Sequence, residues 1–163
     1  MRVCGIDPGM TGALAILGSA GVAVTDMPVF NGRVDGMQIH KILEKMEPDI
    51  VYIEDTQPMP KNGSIASFKL GLNTGVVLGV LHTENLPTIR VRPSQWKRKM
   101  GLIGKPKDAV RGVVCEIYPQ MREKVRLVKH QGRADAIMIA RYGLYDQIHH
   151  QTGEDDDRSD ATT

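Results

Sequence analysis

The 163-residue sequence predicts one α/β domain built on a mixed five-stranded sheet flanked by helices. Three observations lead to this fold class. The first third of the chain has three short apolar runs separated by turn residues, a pattern typical of hairpin-linked strands. Two later apolar runs are separated by a long helical segment, and such a crossover makes its two strands parallel. The remaining apolar residues recur with helical spacing, which predicts helical cover over the sheet.

The elements follow in chain order from apolar spacing and turn residues. Short apolar runs mark five strands, and recurrence at i, i+3, i+4 and i+7 marks the helices. Ser64 is predicted to be the N-cap of the second helix. The strands are 1–6, 13–17, 22–27, 49–54 and 88–92, and the helices are 34–46, 64–81, 110–117 and one that starts near residue 132.

The helix at 64–81 is unusually apolar and carries Gly71, Gly75 and Gly79 at four-residue spacing. Lys69 and Asn73 interrupt its apolar run, so we expect a core helix rather than a membrane span. Because each glycine costs about 1 kcal/mol of helix propensity, the stripe predicts compensating close packing, either on the sheet or on a partner helix.

The composition is that of a soluble globular protein, with 41% hydrophobic and 25% charged residues. Cys4 and Cys115 lie in apolar segments without metal-type or disulfide spacing, and no N-terminal signal pattern is present. These features predict a reducing, cytoplasmic location. Residues 1–150 are expected to form the domain, and the acidic segment 151–163 to be a disordered tail.

The net charge of +2 conceals a strongly basic stretch. Residues 90–133 hold 13 lysines and arginines against 3 acidic residues, whereas 151–163 hold 5 acidic residues against 1 arginine. This density predicts a polyanionic partner, while a solvated basic face explains the charge equally well on its own.

Three acidic residues stand where a catalytic metal ion could bind. Asp7 follows the first strand in a glycine-rich turn, Glu54 ends the fourth strand, and Asp135 lies in the first turn of the last helix. Each has a structural explanation as well: a turn former, a strand-end charge and a partner of the helix dipole. Parallel neighbouring strands bring their ends to one sheet edge, and clustered carboxylates need a cation such as Mg²⁺ or Mn²⁺. Beside a basic stretch, they predict two-metal cleavage of a phosphodiester.

Five sequence blocks resemble the RuvC family of Holliday junction resolvases, within the ribonuclease H-like superfamily. The resemblance extends to about residue 149. It implies a ribonuclease H-like fold, a homodimer, branched four-way junction DNA as the substrate, and Mg²⁺ held by acidic residues. The blocks are GIDPGMTG (5–12), VYIED (51–55), KNGSIASFKLGLNTGVVLGVL (61–81), RPSQWKRKMGLIGKPKDAV (92–110) and GRADAIMIA (132–140).

The resemblance also implies a role for each matching position. Asp7, Glu54 and Asp135 match the catalytic, metal-binding acids, with two ions per site and Mn²⁺ as a substitute ion. The helix 64–81 matches the dimer helix of the family, and Gly71 and Gly75 are its expected contact positions. The expected DNA-binding lysines and arginine are Lys97 and Lys107, which match family lysines, and with them Lys61, Lys105 and Arg98.

The chain departs from the family pattern at two places. The family has a fourth ligand three residues before the last acid, where this chain has Gly132. His130 is the predicted catalytic and metal-binding substitute, because a neutral imidazole binds Mn²⁺. Asp55 is the alternative ligand, and polar surface is the structural explanation for His130. The loop after Glu54 lacks the aromatic of many relatives, and Met59 is the predicted apolar wedge for DNA.

Three other functions fit parts of this pattern. An actin-like ATPase or sugar kinase has a similar opening loop, but the 28 residues after Asp135 are too few for its second half. An inert junction-binding protein gains nothing from three converging negative charges beside phosphate. A ribonuclease H-like nuclease for other branched DNA or RNA–DNA hybrids stays open. The sequence favours an endonuclease that resolves four-way junctions by paired symmetric nicks.

Overall fold

A computed structural model describes residues 1–57, 63–106 and 108–152 and confirms the predicted α/β fold. Five strands form a mixed sheet in the order β3-β2-β1-β6-β7, and two short strands form a separate hairpin. The strands are β1 (Val3–Asp7), β2 (Ala13–Gly18), β3 (Gly21–Asp26), β4 (Val29–Phe30), β5 (Arg33–Val34), β6 (Ile50–Glu54) and β7 (Thr88–Val91).

Six α-helices occur within these ranges, and two of them, α3 and α5, are absent from the sequence prediction. Pro93 is the first residue of α3, a position where its missing N–H costs no hydrogen bond. Ser64 is the first helical residue of α2, and Gly63 takes the N-cap position. The helices are α1 (Gly36–Met46), α2 (Ser64–Thr83), α3 (Pro93–Lys99), α4 (Ala109–Ile117), α5 (Arg122–Val125) and α6 (Gln131–Thr152).

The strand directions bring several strand ends to one edge of the sheet. β1, β6 and β7 pair in parallel, and β2 pairs antiparallel with both β1 and β3. Strands β1, β3, β6 and β7 therefore all end at the same edge, which we call the carboxyl edge. Asp7, Asp26 and Glu54 are the last residues of β1, β3 and β6. The predicted meeting of Asp7 and Glu54 follows from this register.

Helix α6 lies very close to β1 because Gly5 leaves room for its backbone. A Cβ atom at Gly5 would lie 2.3 Å from the carbonyl oxygen of Ala136 and 2.3 Å from the amide nitrogen of Ala140. Residues 136–140 are buried in the core on this face of the sheet, together with Trp96. This contact sets the height of α6 above β1, and with it the position of Asp135.

Helix α2 is largely exposed, so the prediction of a core helix is wrong. Its buried residues are Asn73, Val77 and Leu81. Within the described ranges α2 is the one helix long and apolar enough to cross a membrane, and 17% of that window is buried. The stripe containing Gly71 and Gly75 faces open space, since added Cβ atoms would meet nothing within 4 Å. The sheet face beneath α2 is shared with α1, so one stripe of α2 is enough to complete that core.

Candidate metal and nucleic-acid site

Three acidic side chains from separate elements come together at the carboxyl edge. Asp7 and Glu54 lie at the ends of the adjacent parallel strands β1 and β6. Asp135 comes from the first turns of α6, which lies over β1. The structure therefore groups the three acids that the sequence singles out, although 128 positions separate the first from the last.

Burial and the charges of neighbouring carboxylates oppose ionisation of Asp7 and Glu54. Burial, followed by the negative charges of Glu54 and Asp135, raises the pKa of Asp7 to about 7. Burial and the charge of Asp135 also raise the pKa of Glu54. The ammonium group of Lys97 acts in the opposite direction on both pKa values without cancelling the rise. This excess of negative charge is what a bound divalent cation would relieve.

Side-chain donors hold two of the three carboxylates, and the third, Asp7, accepts a longer hydrogen bond at Oδ1 from the backbone N–H of Gly9, at 3.4 Å. The indole Nε1 of Trp96 donates to Oε2 of Glu54 at 3.1 Å, and Nε2 of Gln131 donates to Oδ1 of Asp135 at 3.0 Å. The sequence analysis missed both donors. Two signals were available: Trp96 is the single tryptophan, and a buried indole needs an acceptor. Gln131 precedes Asp135 by four residues, the spacing of neighbours on a helix.

The donor set fits a hard divalent cation, because carboxylate oxygens are the ligands that Mg²⁺ and Mn²⁺ prefer. Within residues 1–57, 63–106 and 108–152, no three His, Cys, Asp or Glu side chains form a ready-made metal site. The charges of Glu54 and Asp135 thus act on Asp7 strongly enough to raise its pKa, although the three carboxylates do not converge on a single ion position.

Position 132 has no room for a side chain. A Cβ atom at Gly132 would lie 2.3 Å from the carbonyl oxygen of Thr11, 2.7 Å from Cα of Gly12 and 3.1 Å from Oδ2 of Asp7. Because two of these neighbours belong to the backbone, they cannot rotate away. Glycine here lets the turn after β1 meet the start of α6, and the structure leaves no space for a fourth side-chain ligand at 132.

The structure places His130 away from the three carboxylates, in a short turn before α6. Its side chain is 8% exposed, and its Nδ1 has no hydrogen-bond partner among the described residues. Burial, then the positive charges of Arg133 and Lys129, lowers its pKa, and Asp26 opposes them. The main charges that act on His130 are thus those of Arg133, Lys129 and Asp26, and the three carboxylates are not among them.

Asp55, the alternative ligand, is directed toward β7. Its carboxylate pairs with the guanidinium of Arg90 and accepts a hydrogen bond from Nε2 of Gln57 at 3.2 Å. Successive residues of a strand point to opposite faces, so the side chain after Glu54 is directed away from it.

A cationic cleft opens beside the carboxylates. Lys97 and Lys105 line it, as does Lys129, which the sequence analysis did not single out. The Nζ of Lys97 also lies 5.1 Å from the centroid of the Trp96 ring. Arg98 is exposed on α3 but does not line the cleft. The lining residues are Asp7, Thr11, Lys97, Leu102, Lys105, Pro106, Val110, Val128, Lys129, Gln131, Gly132 and Asp135.

The remaining predicted positions stay predictions. Met59, Lys61 and Lys107 lie outside the described residues. Gly71 and Gly75, the predicted dimer contacts, lie on the exposed stripe of α2.

No protein-family model matches the chain. A curated relative, the chloroplastic Holliday junction resolvase MOC1 of Chlamydomonas reinhardtii, is 33% identical over 94 residues. The match covers 57% of this chain and 11% of MOC1, so the chain spans about a tenth of that relative's length.

Solved structures share the fold over most of the chain. T. thermophilus RuvC in complex with a Holliday junction substrate has a TM-score of 0.64 and 19% identity, covering 94% of this chain and 96% of that one. A second Thermus thermophilus RuvC structure gives 0.63 and 21%, covering 94% and 97%. The yeast mitochondrial Holliday junction resolvase Ydc2 gives 0.55 and 13%, covering 92% and 83%. The likeness confirms the ribonuclease H-like fold that the sequence blocks imply.

Proposed function

We propose that the chain is a metal-dependent, structure-selective DNA endonuclease that resolves four-way junctions by paired symmetric nicks in recombination and repair. In enzyme terms it is a crossover junction endodeoxyribonuclease. The grouping of Asp7, Glu54 and Asp135 beside a cationic cleft is the observation that carries the proposal. The names of the similar proteins, which are Holliday junction resolvases, support the choice of substrate.

In this proposal Asp7, Glu54 and Asp135 hold two Mg²⁺ ions, and Mn²⁺ can take their place. When bound, the ions supply the Lewis acidity that activates a water and stabilises the leaving oxygen of a phosphodiester. Hard carboxylate ligands and uncompensated negative charge support this assignment.

The other side chains of the site have supporting tasks. Trp96 and Gln131 restrict the rotation of two carboxylates through their hydrogen bonds. Lys97 favours the ionised forms of the acids, which are the forms that bind a cation. Lys105 and Lys129 supply positive charge for the phosphates that flank the scissile one.

A homodimer is part of the proposal. The exposed apolar face of α2 needs a cover, and the open space at Gly71 and Gly75 lets a second helix approach closely. A two-fold dimer would present two identical sites to two symmetry-related strands, as paired nicking requires. A second copy, rather than a membrane, is thus the proposed cover. The free thiols of Cys4 and Cys115 support a reducing, cytoplasmic location.

A cleavage assay tests the proposed function. The wild-type chain and Asp7→Asn are incubated with Mg²⁺ and a synthetic mobile four-way junction, beside linear duplex, a fork and an RNA–DNA hybrid. We expect paired symmetric nicks on the junction, a loss of about 10³-fold or more in the variant, and unchanged junction binding. Equal cleavage of forks or hybrids would contradict the proposed junction substrate. Tight binding of the junction by the wild-type chain without cleavage would indicate an inert junction-binding protein.

A further inference from the structure

The β4–β5 hairpin carries an exposed aromatic side chain at its tip. Phe30 is 66% exposed, and it stands opposite Arg33 in the hairpin register. A single exposed apolar residue needs no functional explanation. The placement of this one, however, combines a rigid support, nearby positive charge and proximity to the carboxyl edge.

The turn of this hairpin is of a rigid type. Asn31 and Gly32 connect the two strands and have positive φ angles of 49° and 72°. Two such residues form the type I′ turn that matches the twist of paired strands, and Asn-Gly is its preferred sequence. The flanking side chains, Phe30 and Arg33, are therefore held in a defined orientation.

Two hydrogen bonds attach the hairpin to the rest of the domain. Just before it, the Met27 amide donates to the carbonyl oxygen of Gly12, in the turn that follows Asp7, at 2.9 Å. Within it, the Val34 amide donates to Oδ1 of the buried Asn73 of α2 at 3.1 Å. The hairpin is thus connected to the loop that carries the metal-site turn and also to α2.

A groove beside the tip combines positive charge with exposed apolar side chains, those of Ile65, Phe68 and Leu72 of α2. Arg33 from the hairpin and Lys69 from α2 line this groove. The two nearest acids in sequence are engaged elsewhere: Asp26 binds Arg133 through two hydrogen bonds, and Asp35 accepts a hydrogen bond from the Gln38 amide as the cap of α1. Since β3 ends at the carboxyl edge, the hairpin that follows it begins on the same side of the sheet as the candidate metal site.

We propose that Phe30 stacks on a nucleobase at the branch point of the DNA, while Arg33 and Lys69 bind adjacent phosphates. This inference rests on the proposed function. An exposed aromatic flanked by cations suits unpaired or unstacked bases, because every base has a π-face and every nucleotide a phosphate.

Substitutions at Phe30 test the stacking role by junction affinity in EDTA, measured by fluorescence anisotropy at several salt concentrations. We expect Phe30→Ala to weaken junction binding by roughly 5- to 100-fold, the loss of one stacked base, with an unchanged salt slope. Phe30→Trp should retain the affinity, and Phe30→Leu should lose it, because leucine is apolar but has no π-face. Arg33→Gln should lower the salt slope by about 1.

The control is Ile148→Ala, which removes another exposed apolar side chain, 49% exposed, near the far end of α6. It should leave junction affinity unchanged. Junction affinity that survives in Phe30→Ala, or that Leu restores, would overturn the proposal. A fall of the Phe30→Ala variant to monomer mass by light scattering would overturn it in favour of a protein interface. If the wild-type chain itself shows no preference for the junction over duplex, the proposed function fails instead.

Discussion

Helices α6 and α2 have nearly the same length and opposite environments. The first has 22 residues and the second 20. Helix α6 buries residues 136–140 against the sheet, whereas α2, the more apolar of the two, buries Asn73, Val77 and Leu81. Their glycines differ in the same way: Gly132 of α6 has backbone atoms within 3 Å of a Cβ position, and Gly75 of α2 has open space.

The difference teaches that apolar content does not decide which helix is buried. Helix α6 covers its sheet face because Gly5 admits its backbone, and small buried residues suit that short distance. Helix α2 shares the other face with α1 and needs one stripe to fill it. The two helices are thus suited to different tasks: α6 to building the candidate site, and α2 to the proposed dimer contact.

The largest expected effect concerns Asp7 in the candidate site that α6 helps to build. Its substitution should raise stability although it abolishes the proposed activity. The pKa of Asp7 is about 7 in the folded chain against an ordinary value of 3.8. Between these values the folded chain keeps a proton that the unfolded chain has released, so metal-free stability falls as pH rises through this window. Asp7→Asn should remove that loss and raise the free energy of unfolding at about pH 8 by up to about 4 kcal/mol.

Thermal unfolding in EDTA checks this sign. The variant should be more stable than the wild-type chain at about pH 8 and equal to it at about pH 3, below both values. A wild-type chain that gains stability over the variant as pH rises would contradict the assigned environment of Asp7.

Substitution of Gly132 tests how closely the start of α6 packs against the turn after β1. Gly132→Ala should destabilise the chain by about 3 kcal/mol, because its methyl group meets the backbone of Thr11 and Gly12. The matched control is Gly112→Ala on α4, where a Cβ atom meets nothing within 4 Å. That variant should gain up to about 1 kcal/mol of helix propensity. Denaturant titration gives both free energies of unfolding, and equal values for the two variants would refute the close approach.

Substitution of Gly75 tests the proposed dimer contact through α2. In an isolated chain, Gly75→Leu adds a side chain in open space and improves helix propensity. In the proposed dimer the same side chain keeps the two α2 helices apart, which should weaken association by about tenfold or more. Light scattering should then show the 18.0 kDa monomer at concentrations where the wild-type chain is dimeric. Gly112→Leu is the control, and an unchanged dimer in Gly75→Leu would exclude this face.

The smallest expected effect is on the salt dependence of junction binding, and the pH profile of cleavage then distinguishes Lys97 from Lys105. Lys97→Ala and Lys105→Ala should each lower the salt slope of junction binding by about 1, for one lost phosphate contact. Lys97→Ala should also move the acid limb of the cleavage pH profile upward, because Lys97 lowers the pKa values of Asp7 and Glu54. Equal pH profiles for the two variants would contradict the effect of Lys97 on the acids. Unchanged salt slopes would show that neither lysine contacts a phosphate.

Local patterns missed the strands β4 and β5 and the helices α3 and α5, all of which are short. The strands β4 and β5 have two residues each, too few to show alternation, although Asn31-Gly32 is itself a hairpin signal. Helix α3 has seven residues and one buried member, Trp96, so no apolar periodicity marks it, although Pro93 indicates a helix start.

The sequence by itself determined the three hairpin-linked strands, the parallel pairing of β6 with β7, and the places of Asp7 and Glu54 at strand ends; the structure added the sheet order and the parallel pairing of β1 with β6. The features that the sequence determined follow from alternation and from the geometry of helical crossovers, which are local or nearly local properties. Only the tertiary structure decided that α2 faces outward, that His130 lies away from the carboxylates, and that position 132 admits no side chain. Each depends on packing between elements far apart in the chain: α1 beside α2 on one face of the sheet, and the close approach of α6 to β1 on the other.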